Sequence, residues 1–160
     1  MAHPYPHHCS SFDYRGRYRY SLTFPIHERR SAFVDAASVG LVWTQILRSC
    51  TEKGFEVIAY CFMPDHLHLL VEGVTEGADL LRFVQVAKRR SGSVYARSAR
   101  RPLWQQGYYE RVLRPNEDAR WVANYIVQNP VRAGLVQAPS DYEFLGSDAW
   151  TLEELLEWLL

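Results

Sequence analysis

The string Asp65-His66-Leu67-His68-Leu69-Leu70-Val71-Glu72 sets two histidines on either side of a leucine. In an extended chain successive side chains alternate faces, so Leu67, Leu69 and Val71 share one side and His66 and His68 the other. Two imidazoles one pleat repeat apart can converge on one metal ion, although the spacing suits two solvent-facing histidines equally well. Further along, 121–129 reads as a helix in which Tyr125 has Gln128 at i+3 and Asn129 at i+4. A phenol and a carboxamide therefore share a face, while Ala123 and Ile126 turn towards a core. The chain has 10 tyrosines, so helix position alone does not single out Tyr125. His3, His7 and His8 are also ligand types, but with no flanking structure they read as incidental.

Charge supplies a second signal. The 18 Lys and Arg balance 18 Asp and Glu, yet the balance hides an asymmetry. Residues 80–109 carry Arg82, Lys88, Arg89, Arg90, Arg97, Arg100 and Arg101 and no acid. From Asp141 onwards there are six acids and no base, the last three being Glu153, Glu154 and Glu157. The basic stretch points to a polyanion, and Trp104, Tyr108 and Tyr109 close behind it could stack unpaired bases or pack on the core. The acidic tail either packs on the basic surface or serves solubility.

These residues need a scaffold, and 160 residues suffice for one domain with its own core. An aromatic content of 14% with 22% charged residues excludes a disordered chain. No apolar run is long enough for a membrane span, and the N-terminus lacks the basic-then-apolar pattern of a secretory signal. Cys9, Cys50 and Cys61 have no CxxC spacing and read as reduced, cytoplasmic thiols, two of them in the core.

Alternation over 17–24 predicts a strand, and the three- and four-residue spacing of Ala36, Val39, Val42, Trp43, Ile46, Leu47 and Cys50 predicts a helix over 35–53 that stops at Lys53-Gly54. A strand over 55–62, a tight Met63-Pro64-Asp65 connection and a strand over 66–72 follow, then a helix over 77–97 and a strand within 103–113. Asn116 is expected to cap a helix that reaches Gln128 and stops at Pro130. A last helix occupies 151–160. The order β-α-β-β-α-β followed by helices is an α+β, ferredoxin-like arrangement, with an antiparallel sheet covered by two helices on one face. A flexible arm (1–13), a main domain (14–147) and an acidic C-terminal helix (148–160) are the expected parts.

Three strings carry a resemblance. Tyr60-Cys61-Phe62-Met63-Pro64-Asp65-His66-Leu67-His68-Leu69-Leu70-Val71 resembles the His-hydrophobic-His motif of single-tyrosine HUH transposases. Pro102-Leu103-Trp104-Gln105-Gln106-Gly107-Tyr108-Tyr109 and 125–136, which opens Tyr125-Ile126-Val127-Gln128-Asn129-Pro130, resemble the branch known as REP-associated tyrosine transposases. The likeness runs from about Tyr14 to Phe144.

The resemblance implies an endonuclease and strand transferase for single-stranded, hairpin or repeat DNA, with Tyr125 as nucleophile and a 5′-phosphotyrosine intermediate. It implies a divalent ion on His66 and His68, with Asn129 or Gln128 as third ligand. Imidazole with oxygen donors suits Mg²⁺ or Mn²⁺, whereas a closed structural zinc site needs four ligands that the spacing does not supply. Arg82, Lys88, Arg89, Arg90, Arg97, Arg100, Arg101 and Trp104 are the expected DNA contacts. A monomer and a homodimer are both compatible with the family. The alternative is a protein of the same fold that binds DNA or RNA without catalysis.

Overall fold

The computed structural model describes residues 11–160. The arm residues His3, His7, His8 and Cys9 lie outside them. Five strands form one antiparallel sheet: β1 (Arg19–Pro25), β2 (Phe55–Met63), β3 (His66–Gly73), β4 (Tyr109–Val112) and β5 (Leu145–Gly146). Their order is β4-β1-β3-β2-β5, which over the first four is the ferredoxin-like order expected from the alternation of elements. The fifth strand is two residues long, too short to leave an alternating pattern.

Helices α1 (Ala36–Lys53) and α2 (Leu80–Ala99) pack on each other and cover one face. Each starts where an aspartate can accept from an otherwise unpaired N–H: Asp35 from Ser38 N, Asp79 from Arg82 N. Helix α1 ends where expected, because Gly54 takes φ 76° and turns its N–H back to the Cys50 carbonyl. Under these helices lies the larger core, with Leu22 and Phe24 of β1, Leu67, Leu69 and Val71 of β3, and Phe83 of α2 fully buried.

The face that carries the histidines was expected to be bare, and it is not. Helix α3 (Ala119–Val127) lies across β2 and β3, and with α5 (Leu152–Trp158) it closes a second core. That core joins Cys61, Met63 and Leu70 to Val122, Ala123, Ile126, Val127 and Leu155. Strand β2 serves both layers by alternation, and a bulge between Val57 and Ala59 switches which residues face which layer. Val57 faces the larger core, Ile58 and Ala59 the second, and past the bulge Phe62 returns to the first.

Two helix expectations also need correction. The cap of α3 is Asp118, whose carboxylate accepts from Arg120 N; Asn116 falls in the preceding turn. Pro130 does not stop the chain's helical course. Gln128 ends α3 and leads directly into α4 (Asn129–Arg132), where Pro130 occupies the first turn. A missing N–H costs nothing there. The acidic tail is tied down by its apolar side: Leu155 is fully buried in the second core, and a Thr151–Glu154 capping box opens α5. Among the described residues no ion pair joins the tail to the basic stretch.

Candidate active site

His66 and His68 converge. Their Nε2 atoms are 3.0 Å apart and their rings stand edge to face. The other nitrogen of each ring is held: His66 Nδ1 lies 2.7 Å from Asp65 Oδ1, and His68 Nδ1 lies 3.0 Å from Thr23 Oγ1. Strand register explains both partners, since Thr23 on β1 is paired with His68 and Asp65 closes the β2–β3 turn beside His66. If each Nδ1 carries the proton and donates it to its oxygen partner, both Nε2 lone pairs point at the same place. That is the tautomer a metal needs, and a carboxylate behind a ligating histidine is its usual support.

Electrostatics favours a neutral imidazole at His68. Burial, with the nearby His66, Arg132 and Arg29 charges, pulls His68 down to about 3. Burial works against the Asp65 carboxylate, but the His66 hydrogen bond and the His66 and Arg29 charges outweigh it and lower its pKa. Arg29 Nη2 is 3.0 Å from Asp65 Oδ2, so the carboxylate is shared between a cation and an imidazole.

Among the described residues no third His, Cys, Asp or Glu joins the pair. Cys61 is opposite His68 on β2 but is fully buried in the second core, where burial pushes its thiol up to about 12 against the opposing Arg132 charge. A third protein donor would therefore be neutral oxygen. Gln128 and Asn129, both half-buried at the α3–α4 junction, have that chemistry, and α4 packs on β2.

Tyr125 sits on α3, whose buried side holds Val122, Ala123 and Ile126. The residue is nevertheless 50% exposed. Trp121, one turn earlier, is stacked with it at 6.2 Å, and the pair lines a shallow pocket with Ser21 and Arg111. Arg132 reaches back to it from α4: its guanidinium carbon is 3.8 Å from the ring centroid, and Nη2 donates to the Tyr125 carbonyl at 2.6 Å.

The basic residues expected on the DNA divide into two groups. Lys88 points inward, donating to the Gln105 and Gly107 carbonyls over the Phe24 and Tyr108 rings, and burial lowers it to about 8. Arg90 is paired with Glu52 at 2.6 Å. Arg82, Arg89, Arg97, Arg100 and Arg101 have no carboxylate partner among the described residues. Trp104 donates its indole N–H to Ser91 Oγ and packs edge-on against Phe24 and Phe33, so most of it belongs to the core. It still borders an open groove of about 950 Å³ that Arg82 and Arg89 line from the α2 side.

Thr23 and Arg132 were not recognised as part of the site from the sequence. Thr23 becomes visible only once β1 is registered against β3. Arg132 left a usable signal: it stands seven residues, two helical turns, after Tyr125.

The sequence profile of the family described as "Transposase IS200 like" matches residues 15–129, and the chain belongs to that family. A REP-associated tyrosine transposase of Escherichia coli K12 is 26% identical over 125 residues, covering 77% of this chain and 72% of the relative. The fold is shared with a REP-associated tyrosine transposase solved bound to a REP hairpin. That likeness has a TM-score of 0.72 at 21% identity and covers 87% of this chain and 81% of the other.

Proposed function

We propose that this transposase-family protein is a metal-dependent single-strand DNA endonuclease and strand transferase that acts on hairpin or repeat DNA. The observation that carries the reading is the histidine pair. Two Nε2 atoms 3.0 Å apart, each ring anchored through its other nitrogen, lie on the sheet face crossed by the helix of Tyr125. His66 and His68 would hold Mg²⁺ or Mn²⁺ with Asn129 or Gln128 as third ligand, leaving positions for phosphate and water. Such an ion supplies Lewis acidity to the scissile phosphate and to the departing 3′-oxygen.

The protein's own part is nucleophilic. Tyr125 Oη forms an ester bond to phosphorus as the bond from phosphorus to the 3′-oxygen breaks. The phenolic proton passes to solvent and the 3′-oxygen leaves as a hydroxyl. The product keeps one phosphodiester for one broken, so a second 3′-OH can reverse the step without nucleotide energy. The solved relative bound to a REP hairpin supports hairpin DNA as the substrate class.

The test is a covalent adduct. Incubated with Mn²⁺ and single-stranded stem–loop oligonucleotides, the full chain is expected to give a DNA-linked band and a nick. Tyr125→Phe should lose both, since no water-based route replaces an intermediate that stores the ester bond. Tyr95→Phe, Tyr108→Phe and Tyr109→Phe should keep them. Nicking that survives in Tyr125→Phe would mean a metal-activated water does the chemistry.

A further inference from the structure

Arg132 is an exposed arginine that spends one donor on the Tyr125 carbonyl and lays its guanidinium on the Tyr125 ring. Among the described residues it has no carboxylate partner, unlike Arg29, Arg90, Arg111 and Arg120. It stands at the end of α4, the helix that packs on β2, and the β2 residue Cys61 is registered opposite His68. One cation is thus fastened to the Tyr125 ring, on a helix that packs against the strand paired with the histidine string.

Guanidinium has five N–H donors in a planar fork, the shape that grips two oxygens of a phosphate. With one donor on the Tyr125 carbonyl, four remain. A diester whose phosphorus is held at Tyr125 Oη comes within reach of this group, because the guanidinium lies over the same ring. Negative charge on its non-bridging oxygens grows as the tyrosine attacks, and a fixed, unneutralised cation is worth most where charge develops.

We infer that Arg132 is the phosphate clamp of this site: it holds the Tyr125 ring in place and donates to a non-bridging oxygen of the scissile diester. The inference rests on Tyr125 being the nucleophile, and it adds a group that neither the histidine pair nor the basic face of α2 can replace.

The experiment compares two substrates in two proteins. Cleavage by the wild type is mapped on a pool of stem–loop oligonucleotides with randomised flanks. One cleaved member is then made with a methylphosphonate at the mapped bond, which replaces a non-bridging oxygen by methyl and removes the charge. Adduct formation is measured for wild type and Arg132→Ala on both substrates at saturating DNA and Mn²⁺.

On the ordinary diester Arg132→Ala should be slower by about 10²–10³-fold, the loss typical of one preorganised donor. On the methylphosphonate the same substitution should cost less than about fivefold, because the charge that Arg132 answers is gone. Arg132→Lys should recover part of the rate on the diester. An equal loss on both substrates would reduce Arg132 to packing against Tyr125 and overturn the clamp while leaving the nucleophile intact. An adduct that persists in Tyr125→Phe would overturn both.

Discussion

Thr23 is the residue that turns His68 from a half-buried imidazole into an aimed one. Its Oγ1 is 3.0 Å from His68 Nδ1 across the β1–β3 pairing, and no other protein group holds that nitrogen among the described residues. Valine is nearly the same shape and equally suited to a strand, so Thr23→Val should keep the fold while leaving the imidazole without its orienting acceptor. Loss of such a partner typically weakens metal binding by about 10–100-fold. Calorimetric titration with Mn²⁺ checks this: an unchanged affinity in Thr23→Val would mean that the hydroxyl has no part in presenting Nε2. Alternation of residues already separates His66 and His68 from Leu67 and Leu69. The hydroxyl that fixes a ring comes from 45 positions away, and only the register brings it in.

At the scale of elements, the segment between α2 and β4 shows how one buried charge replaces regular pairing. The strand expected within 103–113 is confined to β4, and the backbone of the residues before it pairs with the sheet through a single bridge from Trp104 to Ile26. Lys88 holds the rest by donating to the Gln105 and Gly107 carbonyls from beneath. Lys88→Met should therefore loosen this segment and cost about 1–3 kcal/mol, the usual result of stranding buried acceptors. The pH dependence has a definite sign. Burial lowers Lys88 to about 8, so between that value and the ordinary lysine range the unfolded chain binds the extra proton. Wild-type stability measured against Lys88→Met should then rise with pH across that window. Urea midpoints of the two proteins from about pH 7.5 to 10 provide the comparison, and a flat or falling difference would show that the ammonium is not penalised.

The same scale explains what could and could not be read from the chain. Periodicity located α1, α2, β2 and β3 within a few residues, because each is long and has one dominant apolar face. It could not reveal the second core. Cys61, Met63 and Leu70 look like ordinary strand residues, and only the bulge at Val57–Ala59 and the return of α3 give them a partner layer. Proline at 130 was misleading for a local reason, since the same residue that ends one helix can open another. The histidine string and the tyrosine helix were both legible. Their meeting on one sheet face was not, because it depends on where α3 lies.

For the whole molecule, the question is how one nucleic acid could reach both the histidines and the basic side of α2, which lie on opposite faces of the sheet. The connection runs round one end of it. Pro25 pairs with His66 on one side and accepts from Gln105 N on the other, so the segment bordering the groove of Arg82 and Arg89 lies one strand away from the histidine string. A strand bound along α2 can pass this end and enter the site. Arg82, Arg89 and Arg97 recur at seven and eight residues and form one stripe, which Arg100 and Arg101 extend past the end of the helix. Replacing Arg89, Arg97, Arg100 and Arg101 together by Gln should weaken DNA binding and flatten its salt dependence. Each phosphate left without its arginine should take about 0.7 from the logarithmic slope, or about 3 if all four take part. The adduct rate at saturating DNA should stay near wild type, because none of the four stands beside Tyr125. That separates binding from chemistry, since Arg132→Ala should lower the saturated rate while taking only one phosphate's share, about 0.7, from the slope. Fluorescence anisotropy of a labelled stem–loop from about 50 to 300 mM salt reads the first quantity, and the covalent band reads the second. A slope that does not move in the fourfold variant would remove the α2 stripe from the DNA path and send the strand along the other end of the sheet.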